Sequence, residues 1–207
     1  MKSSSFPGEP DVPVVTDASV IINLNATRAA AAIIDGFPNR FLVTDTVRRE
    51  LFTGGSRGHG SWEGLEALIH DGSIELVELE PGEAPVYRSL VEGGFKETLD
   101  DGEAATIAYA VGRGAVALID ERKARMICAD RFPTLRLASS VDVLCHGLVN
   151  RALGESGQCD VIFRALRDAR MQVVPRDRLP EVVERIGADR AAMCPSLPRW
   201  ARTMRGA

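Results

Sequence analysis

Aromatic residues are scarce in this 207-residue sequence, which contains seven Phe, two Tyr and two Trp. A surface that binds single-stranded nucleic acid mainly by stacking its bases needs more aromatic side chains than this. Any contact with nucleic acid is therefore expected to run chiefly through the phosphates, which are bound by charge.

Cysteine, too, shows no organised pattern. None of the four Cys forms a Cys-x-x-Cys pair or has a histidine at a spacing typical of zinc sites. We therefore expect reduced, mostly buried thiols in a cytoplasmic protein. No apolar run is long enough to cross a bilayer, which argues against a membrane protein. Residues 1–11, polar and rich in Ser and Pro, lack an apolar signal region and are expected to form a flexible leader.

The charged residues are unevenly distributed. Residues 1–150 hold 14 Lys and Arg against 22 Asp and Glu, whereas residues 151–207 hold 11 Arg and no Lys against 7 Asp and Glu. The net charge of −4 therefore combines a body of about −8 with a tail of about +4. An acidic body can still bind a polyanion if some of its carboxylates hold divalent cations, which reverse the local field.

Short β-branched or apolar runs alternate with helical patterns along residues 12–149, which predicts a parallel sheet with helices on both faces. The run at 74–79 alternates apolar and acidic residues and is expected at a sheet edge, whereas the apolar run at 115–119 is expected inside the sheet. Residues 150–207 are predicted to be a helical extension packed on the same domain. The predicted strands are 12–16, 41–44, 74–79, 115–119, 134–137 and 171–174, and the predicted helices of the extension are 156–169 and 180–192.

Acidic residues follow two of these predicted strands. Asp17 comes directly after the first strand and Asp120 after the run at 115–119, while Glu103 lies in the first turn of a predicted helix. The carboxyl ends of parallel strands and the amino ends of the helices that follow them meet at one edge of a sheet, where such sheets bind ligands. We therefore expect these three carboxylates to converge.

The pattern leaves open whether Glu50 joins this group and whether the first motif is more than a helix cap. Glu50 lies further into its predicted helix, so it joins the group only if that helix leans over the same edge. A simpler interpretation of the first motif is that Asp17 or Ser19 only caps the following helix, which is a common role for both residue types.

Several carboxylates without a neighbouring Lys or His raise one another's pKa when they share a small space. A hard divalent cation such as Mg²⁺ or Mn²⁺ resolves this conflict, because it takes oxygen ligands, keeps some of its waters and bridges carboxylates to phosphate oxygens. Attack of metal-activated water on a phosphodiester is a reaction that suits such a cluster. Hydrolysis of nucleic acid is therefore the leading hypothesis.

Four motifs, in this order and at this spacing, resemble the PIN-domain ribonucleases, and in particular the branch related to the VapC toxins of bacterial toxin–antitoxin pairs. The resemblance covers residues 12 to about 149 and implies a three-layer α/β/α sandwich with a mostly parallel central sheet. The motifs are Val-Val-Thr-Asp17-Ala-Ser-Val-Ile-Ile-Asn-Leu, Thr-Asp-Thr-Val-Arg-Arg-Glu50-Leu, Asp-Asp-Gly-Glu103-Ala-Ala-Thr-Ile-Ala-Tyr-Ala and Ala-Leu-Ile-Asp120-Glu-Arg-Lys-Ala-Arg125.

The resemblance also implies an endoribonuclease that depends on Mg²⁺ or Mn²⁺, with RNA as its substrate. An antitoxin protein and a second copy of the chain are the partners that it suggests. Asp17, Glu50 and Asp120 fall on the family's acidic positions, and Glu103 stands where many relatives carry Asp. Of these four, Asp17, Glu103 and Asp120 are the expected metal ligands.

The same resemblance suggests roles for several neighbouring polar residues. Ser19 is expected to help hold the metal or the substrate, and Lys123 or Arg125 to meet a phosphate. Asp101 and Glu121 lie close enough in sequence to share the work of the metal ligands.

The sequence is also compatible with other functions. A PIN-like module that binds RNA or a protein without cleavage is the main alternative, because Glu103 lengthens one ligand by a methylene. A deoxyribonuclease or flap-type nuclease would share the metal chemistry. A receiver-like or phosphatase-like domain requires Asp-x-Asp at the first strand, which Asp17-Ala-Ser lacks, and the glycine-rich loop at 53–60 lacks the Lys-Ser/Thr ending of a P-loop.

Overall fold

A computed structural model describes residues 9–54, 60–94 and 98–203 of the chain. Most of the predicted leader (1–11) and most of the glycine-rich loop (53–60) lie outside the described residues. All four cysteines are unpaired and three of them are buried, as expected. No described helix combines the length and the apolar character that a bilayer crossing requires.

Among the described residues, five short strands form one parallel sheet in the order 3-2-1-4-5, counted along the chain. They are β1 (Val14–Thr16), β2 (Phe41–Thr44), β3 (Ile74–Val77), β4 (Val116–Leu118) and β5 (Arg136–Ala138). All residues of β1, β2 and β4 are buried, the pattern of a parallel sheet covered on both faces. The predicted edge position of the run at 74–79 and the predicted interior position of the run at 115–119 are confirmed.

Helices cover both faces of this sheet. The described residues form α1 (Ala18–Ala26), α2 (Ala30–Asp35), α3 (Asp45–Thr53), α4 (Ser61–His70), α5 (Ala84–Val91), α6 (Asp101–Arg113), α7 (Arg122–Arg131), α8 (Ser140–Leu144), α9 (Gly147–Asp168), α10 (Leu179–Ile186), α11 (Ala188–Ala192) and α12 (Arg199–Thr203), with a 3₁₀ turn at Arg176–Arg178.

Side chains of each strand alternate between the two faces, because successive residues of a strand point in opposite directions. Val14 and Leu118 pack into a large apolar cluster with α1, α4 and α9, whereas Val15 and Ala117 pack into a second cluster with α6 and α7. The protein is therefore a three-layer α/β/α sandwich, which confirms the predicted fold class.

The helical extension shares the core of the sheet. Val161, Ile162 and Leu166 of α9 are fully or almost fully buried in the same cluster as the residues of β1 and β4. Helix α9 itself starts before residue 150 and is interrupted at Gly154, whose φ of 72° is left-handed. The extension therefore continues the sandwich layer formed by α1 rather than standing apart from it.

The connection between α9 and α10 differs from its prediction. Residues 171–174 are not a strand but part of residues 169–176, which we call the connector. This segment is irregular up to Pro175 and ends at Arg176, where the 3₁₀ turn begins. Met171 and Val173 of the connector are buried, so the alternation of buried and exposed residues that predicts a strand is present. None of the described strands pairs with the connector, however. The predicted helix at 180–192 is divided at Gly187, whose φ is 80°.

Candidate active site

The four acids singled out in the sequence line one cavity of about 620 Å³ at the carboxyl edge of the sheet. Asp17 follows β1 directly, and Asp120 lies two residues after β4, the strand that pairs with β1. Glu103 enters the cavity from the first turn of α6, and Glu50 enters it from α3. The structure thus brings together four carboxylates that are widely separated along the chain.

Asp17 lies at the floor of the cavity and is 2% exposed. Its Oδ1 accepts hydrogen bonds from the backbone N–H of Val20 at 2.8 Å and from the hydroxyl of Ser19 at 2.9 Å. Burial, followed by the negative charge of Asp120, raises the pKa of Asp17 to about 8. Asp17 therefore caps α1 and also lines the cavity.

Asp120 is held in place by groups from two other elements. Its Oδ1 accepts a hydrogen bond from the backbone N–H of Ser140 at 2.8 Å, and its Oδ2 accepts one from Asn23 Nδ2 at 2.7 Å. The hydroxyl of Ser140 donates a further hydrogen bond to Oδ2. Burial nevertheless raises the pKa of Asp120 above its ordinary value, because it outweighs these hydrogen bonds. The carboxylate is thus fixed in orientation while it remains costly to ionise.

Glu103 is less buried than the two aspartates but experiences the same conflict. Burial raises the pKa of Glu103 to about 7, and the charges of Asp100 and Glu121 add to this effect. Asp100 and Glu121 also line the cavity. Asp101 does not line it, and its side chain instead accepts a hydrogen bond from the Tyr87 hydroxyl at 2.9 Å.

Glu50 reaches the cavity because α3 and α6 approach each other closely at Gly102. A Cβ atom at Gly102 would overlap Oε2 of Glu50 and would lie 3.3 Å from its Cδ and 3.4 Å from Cγ2 of Val47. Burial raises the pKa of Glu50, and the charge of Asp100 adds to this. The absence of a side chain at Gly102 therefore leaves the space that the Glu50 carboxylate occupies.

The chemistry of this donor set suits a hard divalent cation. None of the four acids forms an ion pair with a described Lys, Arg or His. The available ligand atoms are carboxylate and hydroxyl oxygens, which Mg²⁺ and Mn²⁺ prefer. Within the described part of the chain, however, no three Asp, Glu, His or Cys side chains already stand as close together as a bound metal requires. A cation here would therefore keep several of its waters, as Mg²⁺ usually does.

The basic residues at the cavity are not those that the resemblance suggested. Lys123 and Arg125 do not line the cavity. The Arg125 guanidinium donates hydrogen bonds to the carbonyl oxygens of Ile119 at 3.0 Å and Ala138 at 2.9 Å, and so joins the carboxyl ends of β4 and β5. The backbone N–H of Lys123 donates to the Glu121 carboxylate at 2.9 Å. Instead, the cavity is lined by Arg122, Arg170 and Arg176.

Two polar residues that hold Asp120 were missed in the sequence. Asn23 was a detectable case, because it follows Ser19 by four residues and so shares its face of α1. Ser140 gave no such signal, because its approach to Asp120 depends on the pairing of β4 with β5. Both side chains fix the carboxylate from outside the set of four acids.

The fold and the cavity together define a class of protein: an α/β/α sandwich with uncompensated carboxylates at the carboxyl edge of a parallel sheet. A family model described as a PIN domain matches residues 13–186, and the chain therefore belongs to the PIN-domain family. No curated protein and no solved structure gives a significant match.

Membership of this family indicates a nuclease-type function, because PIN domains are generally nucleases and typically use divalent metal ions. The match extends beyond α9 into the extension, to the end of α10. The connector thus lies within the matched region.

Proposed function

We propose that the protein is an endoribonuclease that uses Mg²⁺ or Mn²⁺ to hydrolyse RNA phosphodiester bonds. The observation that supports this most directly is the burial of Asp17 and Asp120, which are 2% and 7% exposed and lie side by side at the cavity floor without an ion-pair partner among the described residues. Two such carboxylates are costly to ionise unless a cation joins them. The preference for RNA over DNA rests on the resemblance of the four motifs to ribonucleases.

Asp17, Glu103 and Asp120 would hold the cation, with Ser19 orienting Asp17. When bound, the cation would supply an activated water and would stabilise the charge that develops on the phosphate. Asn23 and Ser140 fix the direction of the Asp120 carboxylate, a supporting role that usually matters for metal affinity. Glu50 faces the same space from α3 and is placed to orient water or substrate there.

The direct test is cleavage of labelled single-stranded RNA by the purified protein. We expect cleavage with Mn²⁺ or Mg²⁺, loss of cleavage in EDTA, and its recovery when the metal is restored. Asp17→Asn should abolish cleavage while it preserves the cap of α1, because Asn caps helices as well as Asp does. Asp35→Asn, which changes an exposed acid outside the cavity, is the matched control. Undiminished cleavage by Asp17→Asn would refute the proposal.

A PIN-like module that binds RNA or protein without cleavage is the second candidate. It is favoured by the spacing of the acids, since no three of the described side chains form a ready metal cage. Calorimetric titration with Mn²⁺ distinguishes the two functions. If the protein is an enzyme, it should bind Mn²⁺, and the binding should disappear in Asp17→Asn and Asp120→Asn. If it is a binding module, the two substitutions should leave any Mn²⁺ binding unchanged.

For the cellular role we propose the toxin half of a toxin–antitoxin pair acting in the cytoplasm, with an antitoxin protein as partner and a homodimer as its assembly. The support is the resemblance to the VapC branch. Induced expression should then arrest growth of a bacterial host, and Asp17→Asn should relieve the arrest. Growth that is unaffected by the active protein would argue for a nuclease with another role.

A further inference from the structure

The cavity has two walls of different origin. One is the edge of the sheet with its acids, and the other is the connector, residues 169–176, which contributes Arg170, Met171 and Arg176 to the lining. Met171 is 2% exposed, and its N–H donates to the Ala165 carbonyl at 3.0 Å. The connector is therefore packed on the core and forms a fixed wall of the cavity.

The far end of the connector is tied to the acidic floor. Arg178, just beyond it, forms an ion pair with Asp142, whose other carboxylate oxygen accepts hydrogen bonds from the N–H and hydroxyl of Ser139. The next residue, Ser140, donates to Asp120. A continuous chain of hydrogen bonds and one ion pair thus connects the end of the connector to Asp120 at the floor of the cavity.

Three arginines on the rim of this cavity have no acidic partner in the part of the chain that the structure describes. Arg122, Arg170 and Arg176 are exposed and line the cavity, yet none of them lies within ion-pair distance of a described carboxylate. By contrast, the nearby Arg178 pairs with two acids. The guanidinium groups at the rim are therefore available to a ligand.

The backbone at Arg170 makes it possible to remove this side chain without straining the fold. Its φ of 55° is left-handed, a conformation that disfavours residues with a Cβ and is usually occupied by glycine. Arg170 directly follows Ala169, the C-cap of α9, and a left-handed residue in this place commonly ends a helix. Arg28 is also left-handed, with φ of 60°, but it lies outside the cavity and so provides a natural comparison.

The chemistry of the two walls is complementary to a nucleic acid strand. Because Asp17 and Asp120 are almost completely buried, a phosphodiester can approach them only by entering the cavity, which favours a flexible single strand over a duplex. The described lining residues include no aromatic side chain on which a base could stack. Guanidinium groups, however, match phosphate oxygens in geometry and charge.

We propose that Arg122, Arg170 and Arg176 bind the phosphates of single-stranded nucleic acid on either side of the bond to be cleaved. This proposal rests on the proposed nuclease function and assigns phosphate binding to Arg170 and Arg176 of the connector together with Arg122, the first residue of α7. Binding is expected to be tolerant of sequence and sensitive to salt, because it depends on phosphates rather than on bases.

The test measures binding of a fluorescent single-stranded RNA by anisotropy over a range of salt concentrations, in the Asp17→Asn background to prevent cleavage. Arg170→Gly and Arg176→Ala should each weaken binding by about 3- to 10-fold, as expected for one partly solvated charge contact. Each should also reduce the slope of log K against log salt by about 0.7. Arg28→Gly should change neither quantity.

Thermal unfolding separates binding from structure. Glycine relieves the left-handed strain at position 170, so Arg170→Gly should unfold at the same temperature as the parent protein or a higher one. A lower unfolding temperature together with the weaker binding would assign Arg170 a structural role and overturn the proposal. An unlabelled RNA duplex of the same sequence should compete at least about 10-fold less well than the single strand, and equal competition would also overturn it.

Failure of this proposal can be distinguished from failure of the nuclease function. If the protein without substitutions cleaves RNA but the Arg170 and Arg176 variants in the Asp17→Asn background bind RNA as tightly as Arg28→Gly does, with the same salt slope, the phosphate-binding role of the connector is wrong and the nuclease assignment stands. If the parent protein neither binds nor cleaves RNA in the presence of Mn²⁺, both proposals fall.

Discussion

Replacement of Gly102 by alanine should reduce the activity of the protein without reducing the stability of its fold. The added Cβ would overlap Oε2 of Glu50, the mobile end of a long side chain, whereas its nearest contact with Val47 is an ordinary 3.4 Å. The Glu50 carboxylate must therefore move away, but the backbones of α3 and α6 need not. Because Gly102 lies in the first turn of α6, alanine should also gain up to about 1 kcal/mol of helix propensity.

The expected result is a protein of equal or greater stability whose cleavage rate is strongly reduced. A positioned acid or base contributes typically about 10²- to 10⁴-fold to a rate, and a displaced one should lose at least about 10-fold, or 1.4 kcal/mol of activation free energy. Urea denaturation measures the free energy of unfolding, and initial rates on a labelled RNA measure kcat/KM. Glu50→Gln shows the effect of removing the charge without moving the side chain.

Gly112→Ala is a matched control on the same helix. Its Cβ would lie 2.7 Å from Cγ of Glu83, a buried residue that pairs with Arg113 outside the cavity. We expect this variant to lose stability and to keep its activity per folded molecule, the reverse of Gly102→Ala. Full activity in a well-folded Gly102→Ala variant would show that Glu50 takes no part in the reaction.

Three further predictions concern the acids and their partners. Asn23→Ala removes a hydrogen bond to Asp120 and should weaken Mn²⁺ binding by about 10- to 100-fold in calorimetry; unchanged affinity would mean that Ser140 alone fixes the carboxylate. The pKa of Asp17 rises from 3.8 to about 8, so in EDTA the folded state keeps a proton that the unfolded state releases. That contribution to stability is complete below about pH 4 and is lost as the pH rises toward 8. The melting temperature of the parent protein should therefore fall relative to that of Asp17→Asn when both are followed from pH 5 to about 8.5. A relative rise would contradict the prediction. Arg125→Ala removes two hydrogen bonds to strand carbonyls and should cost about 1–3 kcal/mol in urea denaturation without changing the salt slope of RNA binding; a flatter slope would restore Arg125 as a phosphate ligand.

Much of the site could be predicted because it follows from the geometry of a parallel sheet. Asp17 and Asp120 follow adjacent strands, and the carboxyl ends of parallel strands must lie at the same edge. Glu103 could be predicted as a member of the same group because a helix between two parallel strands begins at that edge, and Glu103 lies in the first turn of its helix. These placements need only the alternation of strands and helices, which the sequence pattern shows clearly.

The remaining features depend on contacts that a sequence pattern does not encode. The entry of Glu50 requires the close approach of α3 to α6 at Gly102, and a single glycine is a weak signal of such an approach. Arg125 was expected to meet a phosphate, but its long side chain reaches back to the strand carbonyls. In each case a tertiary contact decides which way the side chain points.

The connector was predicted as a strand for a reason that the structure explains. Met171 and Val173 are buried and Gln172 between them is exposed, which is the alternation of a half-buried strand. The same alternation arises here because an irregular segment packs Met171 and Val173 against the core while Gln172 stays exposed. Periodicity reports which residues are buried, but it does not report whether a neighbouring strand is present to pair with them.

The ion pair between Arg178 and Asp142 has a consequence for how ligands would influence each other. It links the end of the connector to the start of α8, from which Ser140 holds Asp120. A nucleic acid strand bound to the connector and a cation bound to Asp120 would therefore contact one connected set of side chains. We expect the two to bind cooperatively, each raising the affinity for the other by an equal factor, as reciprocal linkage requires.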